Sequence, residues 1–302
     1  MKSIMQLTVC LFLFAICANG IASSVILNEY NAVGDDKWLK DSGSDVYFGR
    51  IMANGGDWFE LVAVEDVDMR GWTIVWSNSD PSTDDIYLSQ DDFWSNIKAG
   101  TIITFAQDMT IHGGLDTDIS WNGTTDWWVN ICTEEEQLKY NASQSWLSRT
   151  KNNDDTGHIK TDNDDWKLTI YDDDDNLVFG PAGEGTYTMK GIGSDEVCYL
   201  YDDPSTSIGS YSHYDDGTHS TFGAPNIASD ANQGLEDGRV QDFSQWWGDP
   251  TTCEQAKQMG YEQAGDLDGD CRVNLNDFAI FAAEWASCFD PENVNCDHPW
   301  DN

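Results

Sequence analysis

Between Val25 and Phe179 the chain is a succession of short apolar runs, several of which alternate with period two. They are Val25-Ile-Leu-Asn-Glu-Tyr30, Asp57-Trp-Phe-Glu-Leu-Val-Ala-Val64, Gly71-Trp-Thr-Ile-Val-Trp76, Thr101-Ile-Ile-Thr-Phe105, Trp127-Trp-Val-Asn-Ile-Cys132, Trp166-Lys-Leu-Thr-Ile-Tyr171 and Leu177-Val-Phe179. Trp72, Ile74 and Trp76 fall on one face of such a strand, as do Trp166, Leu168 and Ile170. Successive side chains of a strand point to opposite faces, so this alternation specifies half-buried strands, and the Gly, Asn and Asp between the runs specify turns. Helical periodicity is nearly absent here. The expected fold is mainly β, a sandwich of two sheets. Fourteen Trp, 12 Phe and 11 Tyr supply the core that an acid-rich chain otherwise lacks.

The charge balance excludes some functions. Against 15 Lys and Arg stand 54 Asp and Glu, for a net charge of −39. Such a field repels nucleic acid and anionic membranes, and it suits saline or calcium-rich surroundings where ions screen self-repulsion. Met1-Lys2, an apolar run from Leu7 to Cys17 and the small residues around Gly20-Ile-Ala22 read as a signal peptide over 1–22. Its cleavage leaves a chain with no later run long enough to span a membrane, so no membrane insertion is expected and the localisation is secreted, extracellular or cell-surface. Eight cysteines become six after Cys10 and Cys17 depart. An even number in an exported chain points to disulfides, and sequence proximity favours Cys253 with Cys271, Cys288 with Cys296, and Cys132 with Cys198.

Three early segments follow a family pattern. Ile26-Leu-Asn-Glu-Tyr-Asn31, Asp57-Trp-Phe-Glu-Leu-Val62 and Val67-Asp-Met-Arg-Gly-Trp-Thr-Ile74 resemble the I-N-E, W/Y-x-E-L and D-L-x-G-W-x-L segments of lamin-tail-like domains. Leu168-Thr-Ile-Tyr-Asp172 with Leu177-Val-Phe179 is similar to the family's late hairpin, and Thr221-Phe-Gly-Ala-Pro-Asn226 to its terminal T-P-G-x-x-N. The resemblance implies an immunoglobulin-like β-sandwich over 25–227, with the loops 34–56 and 77–98 longer than the pattern needs. Glu29 and Glu60, on neighbouring strands, are the one tempting acid–base pair. The resemblance gives them a structural part instead, holding a loop by accepting backbone N–H bonds.

Past Ala228 the strand pattern stops, and 228–248 reads as a polar, Gly-bearing linker. A small α-helical unit over 249–302 follows. Thr251 and Thr252, with Glu254 and Gln255 three residues on, are two overlapping capping boxes for a short helix ending near Gly260. Then comes Asp266-Leu-Asp-Gly-Asp-Cys-Arg-Val-Asn-Leu-Asn-Asp277. Oxygen-bearing side chains occupy positions 1, 3, 5, 9 and 12 of this twelve-residue frame, with the Arg272 carbonyl at position 7, the arrangement a hard cation needs from one loop. Val273 is expected to tuck into a small core. A helix starting at Asn276 or Asp277 would place Phe278, Phe281, Ala282 and Trp285 on one face.

This loop resembles the calcium-binding repeat of type I dockerins, D-x-N/D-x-D-G-x-V-N-x-x-D. The resemblance implies calcium as cofactor, with Asp266, Asp268, Asp270, Asn274, Asp277 and the backbone carbonyl of Arg272 as metal ligands. Position 6 is Cys271 where the family has Gly, and one repeat is present where cohesin-binding dockerins carry two. A unit of about fifty residues needs staples, which cysteines and an ion supply.

Other chemistry is sparse. His112, His158, His213, His219 and His298 form no metal-ligand spacing, and there is no G-x-S-x-G elbow, P-loop or G-x-G-x-x-G. The acidic runs at Asp162–Asp165 and Asp172–Asn176 read as solvated hairpin tips rather than as a second calcium site, since neither has a defined ligand frame. Trp121, Trp127 and Trp128 either stack on sugar rings or fill the core. Asn122-Gly-Thr and Asn141-Ala-Ser fit the N-glycosylation acceptor. No catalytic residue is assigned. The expected function is exported, non-enzymatic binding or attachment, with an extracellular or cell-surface protein or polysaccharide as partner. The alternative is a polysaccharide-associated protein, either a carbohydrate-binding module or a divergent glycan hydrolase component.

Overall fold

The computed structural model describes residues 23–79, 83–107, 116–123, 126–139, 145–148, 159–186, 191–228, 238–248, 253, 265–268 and 270–285. The architecture is mainly β. Eleven strands are present among the described residues: β1 (Val25–Asn31), β2 (Trp58–Ala63), β3 (Thr73–Ser77), β4 (Thr83–Leu88), β5 (Ile102–Ala106), β6 (Trp128–Cys132), β7 (Leu147–Ser148), β8 (Lys167–Tyr171), β9 (Leu177–Ala182), β10 (Val197–Leu200) and β11 (Tyr214–Gly217). Helices are few: α1 (Thr133–Lys139), α2 (Ser244–Trp247) and α3 (Leu275–Trp285). The strands form two sheets, of order β11-β10-β1-β2-β5-β6 and β7-β4-β3-β8-β9. Every named pairing is antiparallel except β5 with β6.

The sheets pack face to face in a sandwich-like arrangement. Phe59 of β2 lies 6.0 Å from the Trp76 ring and 6.2 Å from that of Trp166, and Tyr30 of β1 lies 4.2 Å from Trp166. The sequence alternation places these side chains: Trp72, Ile74, Trp76, Trp166, Leu168 and Ile170 are all buried in one continuous core. The five-stranded sheet keeps a partly open outer face, so β8 alternates between buried Leu168 and Ile170 and more accessible neighbours.

The six-stranded sheet is different. Every residue of β1, β2 and β5 is buried, because its outer face is also covered. The long loop 34–56 does part of this covering. Asn31 Nδ2 donates to the carbonyls of Ala53 (2.9 Å) and Gly56 (2.6 Å), and Trp58 Nε1 donates to that of Asn54 (2.9 Å). Phe48 and Phe222 close over Trp58. The chain after β11 adds a second cover. Gln241 and Phe243 are buried, and Trp246 and Trp247 pack on the core. The part of 228–248 from 238 onward thus lies against the sheet, where a loose spacer was expected.

Other expectations also change. The stretch 77–98 contains β4, paired along its length with β3, rather than only a loop. Its Thr-Asp-Asp start hides the apolar alternation. Helix α1 was missed although Thr133-Glu-Glu-Glu136 matches the capping-box spacing and carries three acids in its first turn. Cys132 and Cys198 are both buried but not bridged. They lie on β6 and β10, separated by β5, β2 and β1. Four inter-strand steps are roughly 19 Å, far beyond disulfide reach. The signal peptide, most of the helix expected to end near Gly260, the Asn141 acceptor, His112, His158, His298 and the Cys288–Cys296 pairing lie outside the described residues.

Candidate functional site

The acidic loop folds around its own carboxylates. Asp266 Oδ1 accepts the N–H of Asp270 (3.0 Å) and its Oδ2 that of Cys271 (2.7 Å). Asp268 Oδ1 accepts the Asp270 N–H (3.2 Å), and Asp270 Oδ1 accepts that of Arg272 (2.9 Å). These bonds turn three side chains inward, so that ligand oxygens of Asp266, Asp268 and Asp270 lie within 4.8 Å of one another. Oxygens around a calcium ion at 2.3–2.6 Å stand at most about 5 Å apart, so one ion can touch all three. The group can hold a metal ion.

The second half of the frame braces the loop. Asp277 is buried; its Oδ1 accepts the N–H groups of Leu267 (2.7 Å) and Asp268 (3.2 Å), and its Oδ2 that of Asn274 (2.6 Å). These bonds, that of Asn274 foremost, hold its carboxyl below the usual range. Asn274 Oδ1 accepts the Asn276 N–H (2.8 Å), which caps α3 at Leu275, one or two residues before the expected start. The Arg272 carbonyl accepts from Asn274 Nδ2 at 3.3 Å. A carboxylate oxygen that accepts one N–H keeps a lone pair for a cation.

Cys271 is bridged to Cys253, with Cα atoms 5.5 Å apart. It has φ of 62°, the left-handed conformation that Gly at frame position 6 adopts without strain. The bridge stands where the glycine would. Closing a loop of this length is worth about 3 kcal/mol to the unit it staples. Cys271→Gly is therefore expected to loosen this unit even though it relieves the backbone, seen as faster amide exchange at Asp270 and Asn274; unchanged exchange would contradict this. Val273 does not tuck into a core. It is 59% exposed. Of the face expected to be core, Phe278 is 62% and Phe281 45% exposed and Ala282 is exposed, while the Trp285 side chain lies outside the described residues. Leu275 beside them is 82% exposed.

The two glutamates of the sandwich meet at a bulge between Leu27 and Glu29, where Glu29 pairs with Glu60. Both are fully buried. Glu29 Oε2 lies 2.6 Å from the Thr221 hydroxyl oxygen and accepts the Thr221 N–H (3.1 Å). Glu60 accepts Asn28 Nδ2 (2.7 Å) and the N–H of Gly223 (2.8 Å). The pair thus holds the loop 221–226. Asn226 completes the knot. It donates to the carbonyls of Asn28 (2.9 Å) and Leu200 (3.0 Å) and accepts from Thr221 Oγ1 (2.8 Å), while its N–H reaches Gln241 Oε1 (2.9 Å). Burial pushes Glu29 up to about 8 against the Thr221 bond, and burial and the Glu29 charge push Glu60 well above its ordinary value. Asp45, raised by burial, anchors loop 34–56 to Ser220 Oγ (2.6 Å) and the Phe222 N–H (3.0 Å). Asp45 and Gln241 carry no pattern that marks them in sequence, whereas Asn226 closes the segment that resembles T-P-G-x-x-N.

Beside this knot, on the covered face, is an open cleft of about 170 Å³. Tyr47, Trp127, Trp128, Phe222 and Trp247 wall it, and Asp126 is its charged lining residue. Trp128 is fixed by Nε1 to Thr104 Oγ1 (3.1 Å), and Trp247 by Nε1 to the Gly100 carbonyl (2.9 Å). Gly223, at φ 76°, lies so close beneath Trp128 that an added Cβ would stand 2.5 Å from the ring. Trp127 and Trp128 therefore serve neither the core alone nor open solvent, and Trp121 is half-buried with Nε1 on Thr101 Oγ1 (3.0 Å). The contributions of loops 34–56 and 239–248 to this cleft were not legible in sequence.

The chain matches no protein-family model and no curated protein.

Proposed function

We propose that this chain is an exported, non-enzymatic binding protein: an immunoglobulin-like, lamin-tail-like sandwich recognises a ligand, and a small dockerin-like unit, stabilised by calcium, retains or assembles the protein at the cell surface. The observation that carries this reading is the convergence of Asp266, Asp268 and Asp270 in a loop stapled by Cys253–Cys271. Calcium here is structural. Asp266, Asp268 and Asp270 would hold it, with Asn274, Asp277 and the Arg272 carbonyl completing the shell, and its two positive charges would offset most of the repulsion among the three carboxylates.

The disulfide supports an oxidising destination, and no helix among the described residues is long and apolar enough to cross a membrane. The outward Leu275 and Phe278 support attachment, since apolar side chains held at the surface beside an ordered loop are characteristic of contact sites. The reading as a polysaccharide-associated protein is favoured separately by the aromatic cleft.

The test is scanning calorimetry of the oxidised chain with calcium and with chelator. A tenfold excess of ion over its Kd stabilises the unit that binds it by on the order of 1 kcal/mol. Calcium should raise a minor transition from the C-terminal unit and leave the sandwich transition in place, and Asp270→Ala should abolish the shift. Equal movement of both transitions, or none, would count against the proposal.

A further inference from the structure

We infer that the cleft between Tyr47, Trp127, Trp128, Phe222 and Trp247 is a carbohydrate subsite that takes a neutral pyranose of a glycan chain. This deepens the binding reading by giving the sandwich a ligand, and it rests on that reading only for the idea that the sandwich binds at all. The walls come first. Trp127 stacks on Trp247 with ring centres 6.0 Å apart and planes 23° from parallel, while Trp128 meets Tyr47 and Phe222 edge to face at 5.5 and 5.6 Å, and Tyr47 and Phe222 are tilted at 5.9 Å. Five rings around an open cleft of about 170 Å³ offer flat apolar faces to one ring-sized residue; a cavity of roughly 150 Å³ takes up benzene.

The polar atoms then choose the ligand. Tyr47, 49% exposed, has a hydroxyl with no hydrogen-bond partner among the described residues, and the same holds for the Trp127 indole N–H. Asp126 accepts from Ser120 Oγ (3.1 Å) and the Trp128 N–H (3.2 Å), which fixes its carboxylate and leaves each oxygen a second lone pair. The ligand must therefore present an apolar face to the rings, hydroxyl donors to Asp126, and acceptors to Tyr47 and Trp127. A pyranose has its C–H bonds on its faces and hydroxyls on its rim, and meets all three demands. Proline-rich peptides also use aromatic grooves, but proline has no N–H to give the carboxylate. The net charge of −39 and Asp126 itself repel phosphorylated, sulfated or uronic ligands.

The walls are built before any ligand arrives. Trp128 and Trp247 are pinned by hydrogen bonds and Gly223 lies flat beneath Trp128, so little ordering cost remains on binding. Trp127 stands just before β6 and packs chiefly on Trp247, so its replacement removes a ligand face without opening the core.

The experiment is tryptophan-fluorescence titration of the full oxidised chain with glucan, xylan, mannan and chitin hexaoses, and with a hexagalacturonide. At least one neutral hexaose should give saturable quenching, weakened by roughly tenfold or more in Trp127→Ala, restored in part in Trp127→Phe, with the melting temperature unmoved. Asp270→Ala should bind the hexaose as the parent does, which separates this site from the calcium loop. Absence of saturation with every neutral hexaose, preference for the galacturonide, or equal binding by Trp127→Ala would each overturn the inference. Quenching by a polyproline peptide with none by the sugars would overturn it in favour of peptide recognition.

Discussion

Replacing Asn226 with alanine is expected to lower the stability of the sandwich by about 3–5 kcal/mol, more than any surface substitution in the chain. The side chain is buried among groups that have no route to water. Its amide serves the carbonyls of Asn28 and Leu200, and its oxygen serves Thr221 Oγ1 and, at 3.2 Å, Asn28 Nδ2. Truncation breaks these four buried hydrogen bonds at once, each worth about 1 kcal/mol net. The Leu200 carbonyl and Asn28 Nδ2 keep only Gln241 and Glu60, and the Asn28 carbonyl loses its Asn226 donor. The Thr221 hydroxyl would keep Glu29, but the loop 221–226 would lose its tie to β1 and β10. Urea unfolding followed by tryptophan fluorescence checks this. A loss under about 1 kcal/mol would show that water or a neighbouring side chain fills the gap, and that the knot does not fasten the loop.

The second large effect is in pH. Glu29 titrates near 4.5 when the chain is unfolded and is pushed up to about 8 by burial when it is folded. Between these values the folded protein holds a proton that the unfolded chain has released. The stability this confers is complete below pH 4.5 and disappears as pH rises through 8, a swing on the order of 5 kcal/mol. Asp57, half-buried and bonded to Thr161, moves in the same direction, from 3.8 to about 6, raised chiefly by desolvation. Melting temperature should therefore fall from pH 5 to pH 8. Self-repulsion among the surface acids pushes the same way, so the informative quantity is the difference from Glu29→Gln at fixed ionic strength. That variant stays neutral at all pH values and should show a distinctly flatter profile. Parallel profiles would mean that Glu29 is ionised in the fold.

The two-sheet architecture was legible because the aromatic alternation is strong. Trp72, Ile74 and Trp76 could face only one way, and Trp166, Leu168 and Ile170 opposite them could do the same. What escaped was the second layer. A strand buried on one face announces itself by period two, whereas β1 and β2 are buried on both and carry Asn28, Glu29 and Glu60 inward toward loops. Those loops have no periodicity of their own. Asp45 and Gln241 look like ordinary surface residues until the fold places them against Ser220 and Leu200. The structural part of Glu29 and Glu60 could be anticipated from the segments they sit in, but not the loop residues they hold. In the C-terminal unit the loop frame was readable from spacing alone. The outward turn of Leu275 and Phe278 was not, because apolar residues on one helix face signal a contact without saying whether its partner belongs to the same chain.

The C-terminal loop and the cleft belong to separate chemistries, a hard cation among carboxylates and a flat ligand among rings. The central claim concerns the first. Calorimetric titration of calcium into the full oxidised chain, beside Asp270→Ala, tests it most directly. One saturable site in the parent, with Kd in the ~10⁻⁴–10⁻³ M range of extracellular modules and absent in the variant, is the predicted result. No heat of binding in the parent, or the same site in both proteins, would contradict it and leave the Cys253–Cys271 bridge as the staple of that loop.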